Sequence, residues 1–157
     1  MVDNLNFMIF ANMYPELNLP QATLRIENGK VWDILRKKNL KVTPEEWVRQ
    51  HFIHFLIDHR QFPAGLMISE YKVDYADKAV RADIVVFNND HKTQVIIECK
   101  APKIKLTENT FYQVAKYARV LNPKMVILTN GLMHICAYIL ENGDIQYLKG
   151  IPNYCDI

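Results

Sequence analysis

The chain has 157 residues, half of them hydrophobic and 23% charged. That make-up fits one soluble globular domain of ordinary size with a real core. A net charge of +2 neither demands nor forbids a nucleic-acid partner, so a local basic patch matters more than the total. The three cysteines (Cys99, Cys136 and Cys155) are odd in number and form no CxxC pair. This argues against a disulfide scaffold or zinc site and suits a reducing cytosol. Cys99 and Cys136 sit in apolar runs and read as small core residues. The N-terminus lacks the basic start and apolar stretch of a signal peptide, and no apolar run approaches the roughly 20 residues that cross a bilayer. The expectation is a cytoplasmic protein with no membrane partner.

In chain order, residues 1–19 give no clear element. Residues 23–27 and 30–34 flank Asn28-Gly29, a strong β-hairpin signal. Arg36, Lys37, Lys38 and Lys41 then read as a solvated basic surface, with phosphate contact as the alternative. Thr43 is a natural N-cap, Pro44 suits the first helical position, and Glu46 completes a capping box, which predicts a helix to about residue 59. Strands follow at 66–74, 81–88 and 93–100, the last two joined by the turn 89–92. Thr107 caps a second helix over 108–121, closed by Pro123. Further strands are expected at 124–129, 133–140 and 145–148. The pattern predicts an α/β domain spanning 1–157: an extension (1–42) with an N-terminal β-hairpin, then a core (43–150) with a central mixed sheet flanked by helices.

The runs 81–87 and 94–100 are apolar on both faces, as central strands of a covered sheet are. Asp83, Glu98 and Lys100 are therefore charges at the ends of buried strands, expensive unless paired or bound to metal. A hairpin closed by residues 89–92 sets Phe87 against Gln94 and Asp83 against Glu98. Opposed residues share a face, with Cβ atoms about 5 Å apart. Alternation adds Lys100 to that face and removes Cys99. Two such carboxylates suit Mg²⁺ or Mn²⁺, and Lys100 is placed to handle a water or neutralise charge. At about 100° per residue, Glu45 falls in the middle of the apolar side of the first helix, among Val48, Phe52, Phe55 and Leu56. It is thus the third candidate metal acid, although a salt bridge to Arg49 at i+4 explains it equally. Glu46 lies about 100° away, in a capping role. Gln113 and Tyr117 share one face of the second helix. Lys103, Lys105, Lys116 and Arg119 form a candidate rim for DNA phosphates. His51 and His54 fall on the polar side of the first helix and read as surface residues; His59 nears its end, and neither His91 nor His134 has an evident partner. The triplet alone also suits a plain buried ion-pair cluster.

Taken together, Thr43-Pro44-Glu45-Glu46-Trp47-Val48-Arg49-Gln50, Ala82-Asp83-Ile84-Val85-Val86-Phe87, Glu98-Cys99-Lys100-Ala101-Pro102, Gln113-Val114-Ala115-Lys116-Tyr117 and Leu128-Thr129-Asn130-Gly131 resemble the N-terminal nuclease domain of type I restriction enzyme R subunits. The resemblance covers roughly residues 20–152. It implies the restriction-endonuclease-like PD-(D/E)xK fold and metal-dependent cleavage of DNA. It also implies Asp83 and Glu98 as metal ligands, Glu45 as the first-helix acid, Lys100 as the catalytic lysine, and Gln113 and Tyr117 as the QxxxY pair. Ala82 stands where the motif's name has proline. No GxxxxGK[ST] phosphate loop occurs, so a motor and specificity subunits are expected on other chains, or a second copy of this one. The expected activity is that of a nuclease module without its motor. The alternative is a catalytically silent DNA-binding or partner-docking module on the same fold.

Overall fold

The computed structural model describes residues 4–157 and gathers the apolar runs into two sheets. The described residues begin with a helix, α1 (Asn4–Met13), which the sequence does not announce: its ten residues carry no charge. The Asn-Gly hairpin forms as expected, with both turn residues at positive φ (50° and 73°) between β1 (Ile26–Glu27) and β2 (Lys30–Asp33). The basic stretch after it is not merely solvated surface. Lys38–Lys41 is a third strand, β3, antiparallel to β2. Asp33 drives that return: its carboxylate accepts from the backbone N–H groups of Leu35 and Arg36 and from Arg36 Nε. The small sheet packs its inner residues Ile26 and Val31, together with Leu24 just before it, against Val42 and Trp47.

Helix α2 (Pro44–Arg60) starts where expected, with Glu46 N–H donating to Thr43 Oγ1 at 3.1 Å. Only this half of the capping box forms. The Glu46 carboxylate turns instead to Arg36, Arg49 and Gln50. The same flank corrects the reading of His51. It is buried, not surface, with Nδ1 on the Trp47 carbonyl and its ring 4.3 Å from the Trp47 ring, because pairing and packing of the extension cover a side that helical periodicity marks as polar.

The main sheet has the order β4-β5-β6-β7-β8-β9. Its strands are β4 (Met67–Tyr75), β5 (Lys78–Phe87), β6 (Thr93–Cys99), β7 (Met125–Thr129), β8 (His134–Ile139) and β9 (Ile145–Leu148). Only β6 and β7 are parallel, and helix α3 (Glu108–Ala118) makes the crossover between them. A 3-10 turn over Arg119–Leu121 prolongs α3. On one face, Ile84, Val86, Val95 and Ile97 pack with Val48, Phe52 and Leu56 of α2. On the other, Val85, Ile96, Val126 and Leu128 pack with Phe111, Val114 and Ala118 of α3. The continuous apolar runs of β5, β6 and β7 follow from this double cover. Cys99 and Cys136 are core residues, as expected.

The β5–β6 register needs one correction. Asn88 folds the turn by accepting from the backbone N–H groups of Asp90 and Lys92, and Phe87 pairs with Thr93, not Gln94. The irregularity is absorbed between Val86 and Phe87. Beyond it Val86 faces Val95 and Ile84 faces Ile97, as the sequence count requires. Among the described residues, no helix is long and apolar enough to cross a membrane.

Candidate active site

The β4–β5 hairpin runs past the end of β6. The β5–β6 ladder stops at the pair Ile84–Ile97, and the next step outward sets Asp83 across from Glu98. There the Cys99 N–H donates to Asp83 Oδ2 at 2.7 Å. Asp83 Oδ1 accepts from Arg49 Nη2 of α2 at 2.8 Å. Asp83 is buried although it is an ionisable side chain.

Arg49 is the hub of this end of the sheet. Its Nη2 also reaches Glu45 Oε1 at 3.1 Å, while Nη1 holds Glu46 Oε2 at 3.0 Å and Glu70 Oε1 at 2.8 Å. Glu70 stands across β4 from Asp83, between the pairs Ser69–Ile84 and Tyr71–Ala82. Its φ of 58° interrupts the ladder with a conformation that non-glycine residues seldom adopt. Arg81 Nη1 donates to the other Glu70 oxygen at 2.8 Å.

Glu98 projects toward α3, two residues beyond Ile96 on the same face. Its carboxylate is held from both sides: Lys100 Nζ donates to Oε1 at 3.0 Å and Tyr117 OH to Oε2 at 2.7 Å. Lys100 is placed by its backbone, whose N–H donates to the Thr129 carbonyl one step beyond the parallel ladder. The loop that follows is pinned by Asn130, which donates to the Ile104 carbonyl and accepts from the N–H groups of Leu132 and Met133. Gly131 beside it has φ of 81°, and a Cβ there would lie 2.7 Å from Leu17 Cδ2.

Carboxylates outnumber cations where it matters. Burial, then the charge of Glu98, push the Asp83 carboxyl up to about 7; Glu45 adds to this, while Arg49 and the Cys99 N–H oppose it. Burial works against the Lys100 ammonium, but Glu98, Asp83 and Glu45 more than restore it, holding it above the usual lysine range. Burial and then Glu98 likewise keep the Tyr117 hydroxyl protonated, as a donor. A hard, oxygen-only donor set with unneutralised negative charge fits a divalent cation. Among the described residues, no three His, Cys, Asp or Glu side chains are already gathered as ligands. Between Glu45 and Asp83 lies the Arg49 guanidinium.

The Asp83 shift has a testable consequence for the metal-free protein. Between about pH 4 and pH 7 the folded state keeps a proton on Asp83 that the unfolded chain has released. Stability from this group is therefore complete below about pH 4 and is lost as pH rises through 7, at up to about 1.4 kcal/mol per pH unit. Urea unfolding in EDTA from pH 5 to 8 should show wild type losing stability relative to Asp83→Asn. Parallel curves would mean that the fold does not hold this proton.

Of the residues singled out from sequence, Asp83, Glu98, Lys100 and Tyr117 converge, and Glu45 joins them through Arg49. Glu45 is half-exposed, whereas Glu46 is the more buried of the two, because Arg36 and Gln50 close over it. Gln113 is exposed on α3, one turn before Tyr117. Lys103 and Lys105 are exposed on the loop after Lys100, and Lys116 is exposed on α3. Arg119 is directed elsewhere: its Nη2 donates to the Gly143 carbonyl in the β8–β9 turn, at the Met125 end of β7, whereas the carboxylates lie at the Thr129 end. His134 does have partners, Thr129 Oγ1 at 2.8 Å and the Asn18 carbonyl at 3.0 Å. The sequence reading missed Glu70 and Arg81 and saw Arg49 only as a neighbour of Glu45. A glutamate in mid-strand, between Met67 and Val73, was the available signal.

With its mixed sheet, covering helices and carboxylates at one sheet end, the molecule has a restriction-endonuclease-like fold. Residues 44–152 match the family described as the type I restriction enzyme R protein N terminus, and the chain belongs to that family. The fold is similar to a solved fragment described as an HsdR subunit of a type I restriction enzyme from Vibrio vulnificus YJ016. The TM-score is 0.51 at 17% identity, over 71% of this chain and 24% of that one. The chain thus corresponds to about a quarter of that neighbour's length. No curated protein matches the sequence.

Proposed function

We propose that this chain is a metal-dependent endonuclease module that hydrolyses DNA phosphodiester bonds. The observation that carries this reading is the meeting of Asp83, Glu98 and Lys100 at one sheet end, with Asp83 buried under an excess of negative charge. Family membership supports it. Asp83 and Glu98 would hold Mg²⁺ or Mn²⁺, with Glu45 as a further acid. Such an ion, when bound, supplies Lewis acidity toward a phosphate and acidifies a coordinated water. Lys100, hydrogen-bonded to Glu98, orients the attacking water or offsets charge on the phosphoryl oxygens. Tyr117 fixes the Glu98 carboxylate from its other side. Gln113, exposed one turn away, contacts the substrate. Lys103, Lys105 and Lys116 bind backbone phosphates without reading sequence, while Arg119, tied to Gly143 at the far end of the sheet, stands outside that rim.

The chain is a single nuclease-like domain over 1–157, with an extension over 1–42 and the nuclease core over 43–150. By family, DNA and the motor and specificity subunits of a type I system are the partners, in the cytoplasm. The test is nicking of supercoiled plasmid by the chain with Mg²⁺ or Mn²⁺. Cleavage by wild type that Asp83→Ala abolishes is the expected result; equal cleavage by both removes the assignment.

One observation favours a second reading, a catalytically silent DNA-binding or docking module. Arg49 already forms ion pairs with Glu45 and Asp83 where a cation would sit. That reading requires DNA binding that survives both EDTA and Asp83→Ala, with no hydrolysis under either metal.

A further inference from the structure

Arg49 contributes its two terminal nitrogens to two different pairs of acids. Nη2 sits on Glu45 and Asp83, both assigned above to the metal, and Nη1 sits on Glu46 and Glu70, neither of which is. Its Nε is buried and has no hydrogen-bond partner among the described residues, so the guanidinium is not fully satisfied where it lies. Glu70 is brought to it by a left-handed backbone in the middle of a strand, a conformation that is costly for a non-glycine residue and persists at sites where strain serves a purpose. The helical residues Glu45, Glu46 and Arg49 come from a single turn and a half of α2, so a rotation of one side chain changes which acids are paired.

We infer that Arg49 is a positioning residue that competes with the divalent cation for Asp83 and Glu45, and that Glu46 and Glu70 are the seat to which its guanidinium withdraws when the cation binds. This rests on the metal-dependent reading above. In the withdrawn state the cation gains the two carboxylates, while Arg49 keeps both Nη1 contacts. Glu46 is itself held by Arg36 and Gln50, and Glu70 by Arg81, so the seat does not move with the guanidinium. A single arginine thereby spares the metal-free protein an uncompensated buried acid at Asp83, and pairs the half-exposed Glu45, without blocking the site permanently.

The test is Mn²⁺ binding by calorimetry on the whole chain, with folding of each variant checked by circular dichroism. Arg49→Gln should bind Mn²⁺ about tenfold more tightly than wild type, and Glu70→Gln about tenfold more weakly. In the double variant the effect of Glu70→Gln should shrink to under about twofold, because no guanidinium remains to be seated. If Arg49→Gln does not fold without metal, Arg49→Lys takes its place. A single ammonium cannot span both acid pairs, and binding tighter than wild type is again expected. Unchanged or weaker binding in the Arg49 variants overturns the competition. An equal loss from Glu70→Gln in both backgrounds overturns the seat, since Glu70 would then act only through its charge. No Mn²⁺ binding by wild type or any variant overturns the metal reading itself, and the inference with it.

Discussion

Arg49→Met should destabilise the metal-free protein by about 3–5 kcal/mol, the range expected when one partner of a buried ion pair is removed. The reasoning starts from burial. Arg49 has only 5% of its side chain exposed, and Asp83 and Glu46 have 10% and 11%. Burial opposes the guanidinium charge, yet Asp83, Glu46 and Glu70 together hold it firmly protonated. Methionine keeps most of the apolar stem, so the loss isolates the charge from the packing. What remains is a buried Asp83 carboxylate with no cation on it, beside the charges of Glu98 and Glu45, and a Glu46 left with Arg36 and Gln50 alone. Asp83→Asn placed on top of Arg49→Met should recover part of the loss, since one of those charges disappears. The exposed pair Arg25–Glu27 is the internal contrast: with both side chains half or more exposed, Arg25→Ala should be nearly silent. Urea denaturation in EDTA measures all three. An Arg49→Met protein within about 1 kcal/mol of wild type would show that the acids relax into solvent and that the hub is not structural.

Lys100→Met should lower DNA cleavage by at least roughly 10²-fold, in kcat more than in KM. Lys100 lies 3.0 Å from Glu98 and its backbone is fixed to Thr129, so the ammonium is held in place before substrate arrives. A group positioned in this way acts on the charge that develops in the transition state and contributes little to ground-state binding. DNA affinity in Ca²⁺ should change only by the worth of one phosphate contact. Tyr117→Phe removes the 2.7 Å hydrogen bond to Glu98 but no charge, and should cost less, about tenfold. A Lys100→Met protein cleaving at the wild-type rate would exclude the lysine from the chemistry.

Much of this site was legible before the structure because it depends on local rules. The Thr43-Pro44 start fixes where α2 begins, and period-two alternation in two apolar strands predicts that Asp83 and Glu98 share a face. That count survives a one-residue irregularity because the shift falls between Val86 and Phe87, on the turn side of the site. Tyr117 was legible for the same reason: helical spacing puts it with Gln113, and the crossover between β6 and β7 brings α3 over Glu98. What sequence could not give is long-range. His51 and Glu46 are polar by helical periodicity, yet the extension buries both. β3 carries no hydrophobic alternation, and its pairing is set by Asp33 folding the preceding turn. Glu70 reaches Arg49 only through a left-handed residue in mid-strand, for which no spacing rule exists. Arg119 lies on the right helix but is tied to Gly143 across the fold.

The central claim is that Asp83 and Glu98 form a divalent-cation site, and a crystal soaked in Mn²⁺ tests it most directly. Anomalous density within coordination distance of both carboxylates, with the Arg49–Asp83 contact opened, is the predicted result. No density there, with Arg49 still bridging Glu45 and Asp83, would contradict the account and leave the cluster as a set of buried ion pairs.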